Sequence, residues 1–123
     1  DSNPKKITKS IEIVYGLRNF IGNANKFSNN TVFINLKSDS ETTEITVEDD
    51  GPGYPRDIIS KIGEPYLKSN YSKDKSKEGL GLGLFIGKTL LEKNFASVNC
   101  RNSKTRDGAE VVIRWKNKEL FNI

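Results

Sequence analysis

Several residue types are scarce in this chain of 123 residues, and each scarcity excludes a class of protein. There is no histidine and no methionine, and Cys100 is the only cysteine. No imidazole is therefore available for chemistry, and a single thiol permits no internal disulfide, as expected in the cytoplasm. No apolar run approaches the roughly 20 residues of a membrane-spanning helix, and no signal peptide is visible. Because an initiating methionine is also missing, we expect a domain of a larger protein.

The charge balance is mildly basic, with 20 Lys and Arg against 16 Asp and Glu and a net charge of +4. The basic residues are scattered, and they lack an aromatic stacking series or a known nucleic-acid motif. We therefore expect no nucleic-acid partner. The length, with 34% hydrophobic and 29% charged residues, predicts one domain over 1–123 with a single modest core.

The most informative stretch is Gly79-Leu80-Gly81-Leu82-Gly83-Leu84, which a helix-like run over 85–93 follows directly. A bare backbone that runs into a helix start can offer its N–H groups to a nucleotide phosphate chain. The spacing fits neither the P-loop nor the dinucleotide-binding fingerprint. Taken alone, the glycines leave a flexible hinge open as the alternative.

A helix is predicted over 11–27, with Ser10 as its N-cap and an apolar stripe at 14, 17, 21 and 24 facing the core. Asn19, Asn23 and Lys26 are four and three residues apart and so share one polar face. An asparagine carbonyl suits Mg²⁺, which completes its shell with phosphates and waters, and a lysine ammonium can meet phosphate. The alternative is a solvated helix face without function.

A strand over 43–48 alternates apolar and polar residues, and the same period places Asp49 on the apolar face. An inward carboxylate is costly unless a donor binds it, and the amino group of adenine is such a donor. Gly51 and Gly53 allow a tight turn beside a flat base, which Pro52 stiffens. An ordinary hairpin turn is the alternative, but 55–62 reads as a short helix and not as a returning strand.

Together these segments resemble the N, G1 and G2 boxes of the ATP-binding catalytic domain of bacterial sensor histidine kinases. This is the HATPase_c domain of the GHKL or Bergerat type, in the superfamily shared with DNA gyrase, Hsp90 and MutL. The segment 62–66, Ile-Gly-Glu-Pro-Tyr, resembles the F box. The resemblance runs from about Ser10 to Trp115, and the stretches 12–17, 63–66 and 88–92 are particularly similar to the RegB/PrrB type.

The resemblance implies a role for each matching position. Asn23 would bind Mg²⁺, Asp49 would accept the adenine amino group, and Asn19 and Lys26 would act as catalytic residues near the phosphates. The remaining ATP contacts that it implies are Gly51, Gly53, Tyr66, Gly79, Leu80, Gly81, Leu82 and Gly83. The lysine-rich segment 68–77 would be a mobile ATP lid. Many relatives carry a threonine that assists adenine binding where this chain reads Gly108-Ala109-Glu110.

Position 19 favours a kinase over an ATPase. The gyrase, Hsp90 and MutL branch carries a general-base glutamate four residues before the metal asparagine, where this chain has Asn19. An amide cannot take a proton at neutral pH, so hydrolysis should be slow. The γ-phosphate would then pass to a histidine on a dimerisation domain of the same parent protein, with a response regulator as further partner. The alternatives are an ATPase clamp of the gyrase and Hsp90 kind and a degenerate, non-enzymatic interaction module.

The resemblance further implies a cytoplasmic domain that makes no membrane contact itself, in a parent protein anchored in the inner membrane. Strands are predicted at 31–37, 43–48, 96–101 and 110–115, and helices at 11–27, 56–62 and 83–93. This order predicts a two-layer α/β sandwich, the Bergerat ATP-binding fold, with a mixed sheet covered on one face by three helices. Cys100 would lie on the apolar face of its strand as a small buried hydrophobe.

Overall fold

The structure is a computed structural model that describes residues 4–59, 75–104 and 108–120. The elements in chain order are α1 Pro4–Phe27, β1 Val32–Ser38, β2 Thr42–Asp49, α2 Arg56–Ile59, α3 Lys75–Lys93, β3 Ser97–Asn102, β4 Ala109–Lys116 and α4 Asn117–Leu120. All four predicted strands are present within one or two residues of their predicted bounds. None of the described helices has the length and apolarity to cross a membrane.

The four strands form one sheet in the order β1-β2-β4-β3. All three neighbouring pairs are antiparallel, with Val47 opposite Val111 and Cys100 also opposite Val111. β4 follows β3 in a hairpin and lies between β2 and β3 in the sheet. β2 and β3 therefore run in the same direction but do not pair with each other. The two-layer α/β class is confirmed, but the predicted mixed sheet is wrong for the described strands, which pair only antiparallel.

The helical layer covers one face of the sheet, with α1 over β2 and α3 over β3. Buried side chains of β4 alternate with more exposed ones, and Val111, Ile113 and Trp115 point into the core. The opposite face is polar and carries exposed ion pairs, such as Arg114 Nη2 with Glu44 Oε1 at 2.5 Å. One apolar and one solvated face explain the alternating pattern along the strands.

Two glycines allow α1 and α3 to approach each other closely. A Cβ on Gly16 would lie 2.9 Å from Leu91 Cγ, and a Cβ on Gly87 would lie 2.8 Å from Phe20 Cε2. The large side chains of Phe20 and Leu91 fill the space beside them and are fully buried. Any larger residue at position 16 or 87 would push the helices apart.

The core stripe of α1 differs from the predicted one. Ala24 is buried and Leu17 packs against the core as predicted, but Val14 is 54% exposed. Ile13 packs against the core in place of Val14, because the contact of Gly16 and Phe20 with α3 sets the rotation of the helix. The stripe is therefore turned by about one residue at its N-terminal end.

Both long helices begin earlier than predicted. α1 starts at Pro4, so Ser10 lies within the helix and is not its N-cap. Proline is well suited to a first helical turn, because its missing N–H would have no helical partner there. α3 starts at Lys75, not at residue 83. Helical hydrogen bonds thus satisfy the glycine-rich backbone, and the cost of about 1 kcal/mol for each glycine relative to alanine does not prevent them.

The C-terminal end of α3 joins three elements. Ala96 N–H donates to the carbonyl of Leu91 at 3.0 Å, which closes the helix, and Phe95 has a positive φ of 74°. The side chain of the buried Asn94 donates from Nδ2 to Glu12 Oε1 of α1 at 3.1 Å. Its backbone carbonyl accepts a hydrogen bond from Trp115 Nε1 of β4 at 3.1 Å. These bonds fix α1, α3 and β4 relative to one another.

Candidate functional site

A cavity of about 210 Å³ opens between α1, the ends of β2 and β4, and the segment that follows β2. Its wall is mainly apolar, with two polar side chains that could orient a ligand, those of Asn23 and Asp49. The described residues that line the cavity are Phe20, Asn23, Ala24, Phe27, Val47, Asp49, Pro52, Gly53, Tyr54, Pro55, Ala109 and Val111. An apolar wall with a few fixed polar groups is typical of a site for a flat organic ring.

Asp49 ends β2 and, as predicted, points to the helix-covered face, where it is only 3% exposed. Its Oδ1 accepts the N–H of Gly51 at 2.8 Å and the N–H of Ala109 at 3.3 Å. Within the described part of the chain, both hydrogen bonds to this carboxylate end on Oδ1. Oδ2 therefore keeps its acceptor capacity for a donor that enters the cavity.

The segment after Asp49 requires glycine at two positions. A Cβ on Gly51 would overlap the carbonyl oxygen of Phe27, and Gly53 has a φ of 83°, which non-glycine residues rarely adopt. Gly53 lines the cavity, whereas Gly51 lies behind it against α1. The predicted tight turn is present. Glycine is required at 51 because the backbone packs closely against Phe27, and at 53 because of the positive φ.

Asp50 attaches this turn to the end of α1. Its Oδ1 accepts the backbone N–H groups of Asn29, Asn30 and Thr31 at 2.9, 3.1 and 3.2 Å. These bonds, that of Asn30 first, lower the pKa of the exposed Asp50 carboxyl below its usual value. These hydrogen bonds join the loop after α1 to the loop after β2.

Asn23 lies on the cavity wall beside α3. Its Nδ2 is buried and has no hydrogen-bond partner within the described residues. A Cβ on Gly83 would lie 2.8 Å from that atom, so the missing side chain of Gly83 provides the space for the Asn23 amide. A buried amide without a partner is costly in a folded protein and points to a ligand that completes its bonding.

The Asn23 amide fits a magnesium ion. Its carbonyl Oδ1 is the kind of hard oxygen that Mg²⁺ prefers. No group of three His, Cys, Asp or Glu side chains that could hold a metal occurs in the described ranges. A magnesium site at Asn23 would complete its shell from phosphates and waters, as Mg²⁺ commonly does.

Asn19 and Lys26, the other predicted site residues of α1, are not part of this cavity wall. Asn19 donates from Nδ2 to the carbonyl of Tyr15 at 2.9 Å, and Lys26 is exposed with Nζ 5.4 Å from the ring centre of Phe27. Gly79, Leu80, Gly81 and Leu82 are part of the α3 backbone. Tyr66 and most of the predicted lid, 68–74, lie outside the described residues, and lid residues 75–77 begin α3.

Several lining residues were not predicted from the sequence. Phe20 and Phe27 are seven residues apart, which places both on the same side of α1, and Tyr54 and Pro55 follow Gly53 directly. Aromatic residues at helical spacing next to the asparagines were an available signal. Tyr54 is buried, and burial raises the pKa of its hydroxyl well above the usual value.

Cys100 packs against the core from β3, as the strand pattern predicted. Burial raises the pKa of its thiol to about 12. At neutral pH this thiol is protonated and behaves as a small hydrophobe.

The chain matches over residues 8–119 the family described as histidine kinase-, DNA gyrase B-, and HSP90-like ATPase. It is 38% identical over 108 residues to the sensor histidine kinase RegB of Cereibacter sphaeroides, which covers 84% of this chain and 23% of RegB. It is 33% identical over 99 residues to the sensor protein RstB of Escherichia coli, covering 80% of this chain and 23% of RstB. Among solved structures, full-length ShkA in complex with AMPPNP is similar with a TM-score of 0.63 and 26% identity, over 85% of this chain and 21% of that one.

The chain therefore belongs to the family of histidine kinase-, DNA gyrase B- and HSP90-like ATPases. Its curated relatives are sensor histidine kinases, and the chain corresponds to their ATP-binding catalytic domain. This confirms the resemblance identified from the N, G1 and G2 boxes. The chain spans 23% of the length of RegB, so it corresponds to one part of such a kinase.

Proposed function

We propose that this domain binds ATP with Mg²⁺ and presents the γ-phosphate for transfer to a histidine on a separate domain of a sensor histidine kinase. The observation that carries the proposal is the occurrence of a buried carboxylate and an unpartnered buried amide on the wall of one apolar cavity, Asp49 and Asn23. A base and a metal-bound phosphate chain need these two different polar groups. An ordinary core cavity needs neither.

The base would enter the apolar part of the cavity. Asp49 Oδ2 accepts the adenine amino group, while Oδ1 stays bound to the N–H groups of Gly51 and Ala109. Those two bonds fix the carboxylate before the base arrives, so little is lost in ordering it. Phe20, Phe27 and Val111 supply apolar surface for the ring. Many relatives carry a threonine where this chain reads Gly108-Ala109-Glu110, and the backbone N–H of Ala109 in this segment donates to Asp49.

The phosphates would lie toward α3 and the C-terminal half of α1. Asn23 Oδ1 would hold Mg²⁺, which would neutralise charge on the phosphate oxygens. Lys26 is exposed one turn from Asn23 and can reach a phosphate as a mobile cation. Asn19, Tyr66 and the residues from Gly79 to Gly83 remain proposed contacts on the resemblance alone.

The nucleophile would come from outside this chain. The chain contains no histidine, and Asn19 stands where a general-base glutamate would activate water in the ATPase branch. Bound ATP would therefore be held in position and not rapidly hydrolysed. We propose a histidine-bearing dimerisation domain of the parent protein and a response regulator as partners, in a cytoplasmic domain of a membrane-anchored kinase.

The test is phosphotransfer. The domain is incubated with γ-labelled ATP, Mg²⁺ and the histidine-bearing domain of its parent protein, and the label is followed on that partner and as free phosphate. We expect an acid-labile phosphohistidine on the partner and little free phosphate, with Asn23→Ala as the inactive control. Steady release of free phosphate without transfer would favour the ATPase clamp. Absence of nucleotide binding would favour the non-enzymatic interaction module.

A further inference from the structure

The last residue of β3, Asn102, contacts the segment that forms one wall of the cavity. Its Oδ1 accepts the backbone N–H of Tyr54 at 2.7 Å, and its Nδ2 donates to the carbonyl of Tyr54 at 3.3 Å. The two backbone polar groups of Tyr54, its N–H and its carbonyl, are thus bound by the two ends of one side-chain amide. An asparagine side chain can do this because it carries the same donor and acceptor as a peptide group.

Tyr54 lies between a glycine with an unusual backbone conformation and a proline. It follows Gly53, which has a positive φ, and it precedes Pro55, which has no N–H to donate. All three residues line the cavity. Asp50 anchors the beginning of the same segment to the loop after α1, so Asn102 is the matching anchor at its other end. Of the two, only Asn102 bonds to a residue of the cavity wall.

We propose that Asn102 is a positioning residue for nucleotide binding, which fixes Tyr54 and with it the wall against which the base packs. Among the described residues, Asn102 is not part of the cavity lining, and its side chain bonds to the backbone of Tyr54. This inference rests on the proposed function, because it assigns the base to this cavity. Its consequence is that a residue 48 positions away from Tyr54 in the sequence controls affinity without contacting the ligand.

The experiment measures binding of AMPPNP and of ADP by calorimetry, well below the unfolding temperature of each variant. Asn102→Ala removes both hydrogen bonds to Tyr54 and should weaken both ligands by the same factor, roughly tenfold. We expect the affinity for AMPPNP and for ADP to fall by the same factor, because the two ligands share the base and differ only in the phosphates. Asn99→Ala is the matched control, since Asn99 is an exposed asparagine of the same strand on the opposite sheet face, and it should bind as wild type does.

A second variant separates positioning from general support of the fold. Asn102→Asp keeps the acceptor for the Tyr54 N–H and loses the donor to its carbonyl, so its affinity should lie between wild type and Asn102→Ala. Amide hydrogen exchange at Tyr54 should accelerate in the same order. A lower unfolding temperature with unchanged affinity in both Asn102 variants would overturn the inference. If wild type itself binds neither ligand, it is the proposed function that fails.

Discussion

Asn23 of α1 and Gly83 of α3 face each other so closely that a Cβ on residue 83 would lie 2.8 Å from Asn23 Nδ2 and 3.2 Å from its Oδ1. The glycine thus provides room for a side chain that belongs to a different motif, 60 residues earlier in the chain. This contact gives Gly83 a role that does not depend on a loop conformation. Gly83 is part of helix α3, and its role is to leave space for the Asn23 side chain.

Gly83→Ala should impair binding without unfolding the domain. The added methyl displaces the Asn23 amide, which can move because it is the end of a flexible side chain. Alanine is the better helix former by about 1 kcal/mol, so the free energy of unfolding should stay equal or rise slightly. We expect the affinity for AMPPNP with Mg²⁺ to fall roughly tenfold or more, measured by calorimetry beside urea unfolding.

The matched control for this variant is Gly22→Ala. A Cβ on Gly22 would meet nothing within 4 Å beyond its own helix, and the residue is exposed. This variant should gain up to about 1 kcal/mol of stability from helix propensity and bind nucleotide as wild type does. Normal binding by Gly83→Ala would show that the Asn23 amide has no part in the site.

Asp49→Asn should reduce the preference for adenine. The amide can still accept the N–H groups of Gly51 and Ala109 through Oδ1, so the fold should persist. Its NH₂ group then meets the adenine amino group donor to donor. We expect AMPPNP affinity to fall roughly tenfold or more, while weak binding of GMPPNP changes little, in competition measurements. Equal affinity of wild type for the two nucleotides would already refute this role.

Phe95→Gly should stabilise the domain. Phe95 follows α3 with a φ of 74° and is 50% exposed, so it holds a left-handed conformation that costs a non-glycine residue free energy. Removing the Cβ should raise the free energy of unfolding by about 1 kcal/mol. Phe95→Ala is the control, because it removes the ring and keeps the strain. If alanine stabilises as much as glycine, the backbone conformation is not the cause.

Cys100 should be unreactive in the native state. Burial raises its thiol pKa to about 12, whereas an unfolded thiol has a pKa of about 8.5. The native state therefore holds this proton more tightly, and the stability contributed by the neutral thiol is complete below pH 8.5 and decreases as the pH rises toward 12. Alkylation by iodoacetamide at pH 8 should be far slower in buffer than in urea. Similar rates in both would place the thiol at the surface.

The period-two pattern of β2 was sufficient to predict the inward carboxylate of Asp49, because strand geometry is local. The rotation of α1 could not be predicted from its own apolar spacing. Val14 and Ile13 are nearly equivalent in hydrophobicity, and the choice between them depends on Gly16 and Gly87, which set how α3 packs. The order of the strands in the sheet depends on β4 pairing with both β2 and β3. The apolar pattern of a single strand does not show which strands will pair with it.

The sequence motifs single out Asn23 and Asp49, and both side chains line the cavity, whereas features that depend on tertiary contacts are not visible in the sequence. The bond between Asn102 and Tyr54 joins residues 48 positions apart, and no spacing rule connects them. The helical start of α3 was missed because glycines favour loops only on average, and neighbouring residues in this chain favour a helix. The aromatic residues of α1 were visible in the sequence but were not recognised as cavity wall.

The most direct test of the account is calorimetry of AMPPNP binding, with and without Mg²⁺, to the wild-type domain and to Asn23→Ala. We predict saturable binding to wild type that Mg²⁺ strengthens roughly tenfold or more, and a variant that folds normally but has lost this strengthening. No binding to wild type at millimolar nucleotide, or the same Mg²⁺ dependence in the variant, would contradict the account.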